Sequence, residues 1–153
     1  MKFFGFELEI KDIGDIWNLI KGIFRKKYDK SNTIILFIDD KKFPIVDRLN
    51  EEGWLTKRVK DVTSINTNEI KRAQIIFVDC KGVGKRLSVS DQGIAIIREI
   101  KRTYKDSKRV ILYSEHSDFS LGPNFDIADH HMNKNSNLYD FIVTIENELK
   151  KIK

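Results

Sequence analysis

From residue 33 onward, short continuous apolar runs alternate with stretches in which apolar residues recur every three or four positions. The continuous runs predict strands buried on both faces, and the longer period predicts helices with one apolar side. Strands are expected at TIILFID (33–39), QIIFVD (74–79) and RVILYS (109–114), with these three central. WLTKRVKDV (54–62) is more polar, as befits an edge, and DHHMNK (129–134) is a short fifth candidate. Ile45, Val46 and Leu49 line a first helix stopped at Gly53, and Asn66, with Glu69 three residues on, is expected to cap a second bearing Ile70 and Ala73. A third starts at Gly93 and sets Ile94, Ile97, Ile100 and Tyr104 on one side. The last follows an Asn135-Ser136 cap and repeats Leu138, Phe141, Ile142, Ile145, Leu149 and Ile152. DFSLGPNFDIA (118–128) contains Gly122-Pro123 and predicts a short or irregular fourth helix.

This alternation predicts an α/β fold, a doubly wound five-stranded parallel sheet covered by helices on both faces. Residues 1–32 stand apart from it. Phe4, Phe6, Leu8 and Ile10 alternate with polar residues or glycine, which predicts a strand; Ile13, Ile16, Trp17, Ile20, Ile23 and Phe24 then predict a helix, closed by RKKYDKSN. The expected organisation is an N-terminal strand-helix extension, 1–32, and one domain, 33–153.

A length of 153 residues with 41% hydrophobic content suits a single core. No segment is apolar for long enough to span a bilayer, and MKFFGFELEI, with Glu7 and Glu9 and no small-residue cleavage pattern, does not read as a signal peptide. A lone cysteine, Cys80, cannot form an intrachain disulfide, which fits a reducing cytoplasm. The net charge is +5, but the 28 basic residues are scattered among 23 acidic ones, so no nucleic-acid-binding stripe is indicated.

The chemistry gathers at strand ends. In an open parallel sheet ligands collect at the C-terminal edge, near the point where strand order reverses. Asp39, Asp40, Asp79 and Ser114 close three central strands, and Lys134 closes the short fifth. Two carboxylates about 5 Å apart repel by roughly 3 kcal/mol at an effective dielectric near 20, so their convergence calls for a cation. Mg²⁺ fits best, since it takes one or two carboxylates, keeps several waters and binds phosphate oxygens. With such a cation Asp79 becomes a candidate nucleophile towards a phosphoryl group, Ser114 a hydrogen-bond donor and Lys134 a charge partner to its oxygens. KGVGKR (81–86) has glycines but no Walker spacing and is expected to be a mobile loop. Cys80 is expected to be a small buried residue, and His116, His130 and His131 lack metal-ligand spacing and are expected to be structural or surface groups.

These residues resemble those of the receiver domain of two-component response regulators, the flavodoxin-like phosphoacceptor module. The resemblance covers residues 33–152. FIDD is similar to the acidic pair after the first strand, IIFVD to the phosphoacceptor strand, DQGIAIIREIKRTYKDSKRVILYS to the third helix and the strand with its switch hydroxyl, and ADHHMNKN to the last strand with its lysine. The resemblance implies strand order 2-1-3-4-5. It implies Mg²⁺ held by Asp39, Asp40, Asp79 and the backbone carbonyl of Lys81, with Asp79 phosphorylated and Ser114 and Lys134 sensing the phosphoryl group. His131 would take the place of the usual aromatic switch. A histidine kinase or phosphotransfer protein would be the donor and a downstream protein the target; residues 1–32, outside the resemblance, are expected to supply an interface for a homodimer or for a partner. No output domain is expected beyond residue 153, so the expected role is a phosphorelay intermediate or a single-domain switch, with no catalysis beyond its own Mg²⁺-dependent phosphorylation and dephosphorylation. Three features depart from the family pattern: a long loop from Cys80 to Gln92 without Met-Pro, Asn135 in place of proline, and the irregular fourth helix. They motivate a second reading, a degenerate receiver acting as an unphosphorylated interaction module. A metal-dependent phosphoesterase is a weaker third, because no second metal set or general base is evident.

Overall fold

The computed structural model describes residues 2–3, 6–7, 13–24, 27–115 and 126–153. At the N-terminus, β1 (Lys2–Phe3) pairs antiparallel with β2 (Phe6–Glu7), and α1 (Ile13–Phe24) follows. The period-two pattern thus gives a pair of two-residue strands; Phe4, Leu8 and Ile10, on which the single-strand expectation partly rested, lie outside the described residues. The helix matches its expected extent. Its apolar side faces solvent, with Ile13 73% and Trp17 59% exposed.

The main sheet comprises β3 (Ile34–Ile38), β4 (Leu55–Val59), β5 (Ile75–Asp79), β6 (Arg109–Ser114) and β7 (His130–Asn133). All neighbouring pairs are parallel and the order is β4-β3-β5-β6-β7. Counted from β3 this is 2-1-3-4-5, so strand order reverses at β3 and β5. Side-chain alternation explains the unbroken apolar runs. Ile35, Phe37, Ile75, Phe77, Ile111 and Tyr113 point to one face, and Leu36, Ile38, Ile76, Val78, Val110 and Leu112 to the other. The first face is covered by α2 (Ile45–Glu51) and α5 (Leu138–Leu149), the second by α3 (Asn68–Arg72) and α4 (Gly93–Tyr104). Every β5 residue is buried, whereas the edge strand β4 is half-exposed along its length.

Two helix starts differ from expectation. Thr67, not Asn66, caps α3: its backbone is extended and its hydroxyl accepts from the Ile70 N–H. Asn137, not Asn135-Ser136, caps α5 through an oxygen that accepts from the Asp140 N–H. Asn135 and Ser136 are used one turn earlier, donating their N–H groups to the Asn133 side chain and carbonyl. The expected irregular fourth helix falls largely on 116–125, outside the described residues, as does His116.

At the far end of the sheet, α5 is tied to β6 by Glu148, 2% exposed, which accepts from Arg109 Nε at 2.8 Å and Lys151 Nζ at 2.8 Å. Burial pushes its carboxyl up, but the bonds from Lys151 and Arg109 outweigh burial and hold it below the ordinary glutamate range. A group lowered in the folded state contributes stability above its unfolded value, lost as pH falls through the folded one. Glu148→Gln is therefore expected to cost about 2 kcal/mol at pH 7, and urea midpoints should show the gap closing as pH drops below 4.5, the ordinary glutamate value.

Candidate functional site

Because β3 and β5 are neighbours in register, their C-terminal ends deliver Asp39, Asp40 and Asp79 to one spot. One carboxylate oxygen from each lies within 4.8 Å of the others. The next strand brings Ser114, and its carbonyl accepts from the Lys134 N–H at 2.9 Å, which sets Lys134 just past the end of β7. All five strand-end residues singled out in the sequence are thereby brought together. Four of them, Asp40, Asp79, Ser114 and Lys134, border a cavity of about 300 Å³ with Lys81 and Glu115, and Asp39 lies buried behind its wall.

The three acids are not equivalent. Asp39 is fully buried, Asp79 is 8% exposed and Asp40 faces solvent. Lys134, a residue type that taken alone in the sequence would face solvent, is only 3% exposed and bridges two of them: its Nζ donates to Asp79 Oδ2 at 2.7 Å and to Asp39 Oδ2 at 2.9 Å. Asp39 Oδ1 accepts from the Lys41 N–H at 2.9 Å, and the Asp39 carbonyl accepts from Arg58 Nη1 at 2.6 Å. Burial pushes the Asp39 carboxyl up, but bonds from Tyr113, Lys134 and the Lys41 backbone overcome it and keep the group ionised. For Asp79 burial wins: with the Asp39 charge nearby, the bonds from Lys134 do not fully offset it, and the carboxyl sits above its ordinary range. Burial would strip the proton from Lys134, but its bonds to Asp79 and Asp39 reverse that and raise its affinity for the proton. The site thus sets one buried ammonium against three carboxylates, with oxygen donors suited to a hard divalent cation.

The loop from Cys80 to Gln92, which contains KGVGKR, is hydrogen-bonded at several points. Gly82 donates its N–H to Gln92 Oε1 at 2.7 Å, Gly84 donates to Asp61 Oδ1 at 2.7 Å, and Leu87 and Ser88 both donate back to the Gly84 carbonyl. Gln92 is held at φ 49°, a conformation costly for a residue with a Cβ, by that side-chain contact and by the turn into α4. Gly82, at φ 90°, passes so near Asp40 that a Cβ there would lie 2.8 Å from its carboxylate. Lys81, whose carbonyl is the expected metal ligand, has its N–H 3.5 Å from Asp79 Oδ1. Cys80 is buried, His130 is exposed and His131 is half-buried on β7.

One residue of the site was not read from the sequence. Tyr113 is fully buried, and its hydroxyl donates to Asp39 Oδ2 at 2.5 Å. The signal was a phenol in the otherwise aliphatic run RVIL, since a buried tyrosine hydroxyl needs a partner.

Neither the family models nor the curated protein sequences contain a match to this chain. Solved structures do match. NtrX from Brucella abortus in complex with ATP aligns at a TM-score of 0.63 and 24% identity, over 78% of this chain and 27% of NtrX, so this chain spans about a quarter of that protein. The response regulator TrrA from Thermotoga maritima in complex with Mg²⁺-BeF aligns at 0.61 and 19% identity, over 76% of this chain and 98% of TrrA. A CheY-like receiver domain protein from Methanospirillum hungatei aligns at 0.59 and 16%, over 77% and 94%. The chain has the receiver fold. In a sheet of this order the acids lie at the reversal of strand order, where a ligand meets the ends of several strands at once. Among the described residues no helix is long and apolar enough to cross a membrane.

Proposed function

We propose that this receiver-fold protein accepts a phosphoryl group on Asp79, with Mg²⁺, from a phosphohistidine on a histidine kinase or phosphotransfer protein. The observation that carries the reading is the meeting of three carboxylates within 4.8 Å beside a buried lysine shared by two of them. The bound complex of TrrA with Mg²⁺-BeF supports the same choice of cation and ligand. Mg²⁺ would be held by Asp40, Asp79 and the Lys81 carbonyl with Asp39 behind them, and would screen charge as the phosphoryl group approaches. Asp79 Oδ attacks phosphorus, the N–P bond breaks, and its electron pair returns to the imidazole nitrogen, which takes up a proton. Ser114 and Lys134 then bind oxygens of the aspartyl phosphate, and their movement alters the surface offered to a downstream protein. The chain acts in the cytoplasm, and residues 1–32 form an extension whose exposed apolar α1 side contacts a second copy or that partner.

The rival reading, an unphosphorylated interaction module, rests on the long 80–92 loop and on Asn135 in place of proline. The loop's ends close on each other through Gly82 and Gln92 beside the cavity, and phosphorylation of Asp79 is what separates the two readings. Incubation with Mg²⁺ and acetyl phosphate should add one phosphoryl group by intact mass, and Asp79→Asn or EDTA should abolish the gain. A gain that survives Asp79→Asn, or none in the wild type under saturating donor, sinks the proposal.

A further inference from the structure

Asp39 is surrounded by protein donors. Its Oδ1 accepts from the Lys41 N–H, and its Oδ2 accepts from both Lys134 Nζ and the Tyr113 hydroxyl. Lys134 is shared with Asp79 and sits over the Tyr113 ring, 4.8 Å from its centroid. The ring itself is fixed edge-on against Phe37 and Phe77, at centroid distances of 5.4 and 5.8 Å, so the hydroxyl has one place to go. Tyr113 and Ser114 are consecutive on β6, one reaching under the acids and the other into the cavity.

The two donors on Oδ2 differ in permanence. Lys134 already donates to Asp79, so a phosphoryl group on that carboxylate would place its oxygens within the ammonium's reach. A fully buried carboxylate that loses a charged donor is costly to leave behind. The phenol does not leave, because its ring is packed among aromatic side chains. We infer that Tyr113 is a positioning residue that holds Asp39 while Lys134 transfers to the phosphoryl group. The inference rests on the phosphoacceptor reading above and adds to it the residue that makes the lysine free to move. Its energetic signature is differential. A buried carboxylate left with fewer donors bears more of its desolvation cost, so losing the phenol hurts most in the state where Lys134 has gone.

The test uses the full chain, with beryllofluoride standing in for the phosphoryl group, and measures its affinity at saturating Mg²⁺ alongside affinity for Mg²⁺ alone. Tyr113→Phe keeps the ring and removes only the hydroxyl. It should weaken beryllofluoride binding about tenfold while changing Mg²⁺ affinity by about twofold or less. In an Asp39→Asn background, where no anion needs holding, the same substitution should lose most of its effect. Equal beryllofluoride affinity in wild type and Tyr113→Phe overturns the inference. So does a loss of the same size for Mg²⁺ alone, or one that persists undiminished in the Asp39→Asn background, both marks of general distortion. A wild type that binds Mg²⁺ but no beryllofluoride removes the phosphoacceptor reading, and this inference with it.

Discussion

Lys134→Met is expected to lower stability by about 3–5 kcal/mol at pH 7, because it removes the ammonium that donates to both buried acids. Methionine fills nearly the same volume, so little of that loss comes from packing. The effect is electrostatic and should respond as such. Lowering the pH protonates Asp79 first, since that carboxyl sits above its ordinary range while Asp39 sits below it. A group raised in the folded state contributes stability at low pH that is lost as pH rises through the folded value. Stripping Lys134 raises Asp79 further, so the variant should recover more stability on acidification than the wild type does, and millimolar Mg²⁺ should restore part of the loss at pH 7. Thermal melts with and without Mg²⁺ at two pH values read all three effects. An unchanged melting temperature at pH 7 would show that the ammonium is not what makes the cluster tolerable.

Gly93→Ala should be nearly as severe for a different reason. A Cβ at that position would stand 1.8 Å from the Asp79 carbonyl oxygen and 3.1 Å from that of Cys80, and both are backbone atoms that cannot swing aside. Either α4 withdraws from the sheet or the end of β5 moves, and the end of β5 carries Asp79. An overpacking cost of about 3 kcal/mol is expected, equivalent to a fall in melting temperature of roughly 6–12 °C for a domain of this size. The proposed metal site should suffer beyond that loss, with weaker Mg²⁺ binding even at temperatures where the variant is fully folded. Gly22→Ala is the natural control, since a Cβ there meets nothing within 4 Å. Wild-type stability and Mg²⁺ affinity in Gly93→Ala would mean that the helix start is not pressed against the strand.

Much of this architecture is legible in the chain itself. Continuous apolar runs at 34–38, 75–79 and 109–114 specify strands covered on both sides, because only a sheet between two helical layers buries both faces. The strand-end acids followed from that, since topology places C-terminal strand ends together. What sequence did not carry was the orientation of single side chains. Lys134 could have faced solvent, and its burial depends on Phe43 and Tyr113, from other segments, flanking its ammonium. Tyr113 reads as one more strand residue, since its hydroxyl's partner lies 74 positions away. The cap positions shifted by one or two residues because several polar side chains stood near each helix start and tertiary context chose among them. In KGVGKR the glycine-rich polar sequence does not reveal that Gln92, ten positions beyond Gly82, will accept from its backbone and close the loop.

That closure has an architectural consequence. With Gly82 fastened to the Gln92 side chain and the Gly93 N–H donating to the Cys80 carbonyl, the two ends of the insertion meet at its base. The outer arc, carrying exposed Lys85, Arg86 and Val89, hangs from a stapled neck. The residues of that arc can therefore change without disturbing the carboxylates below, and a new recognition loop grafted there would leave the cavity as it is.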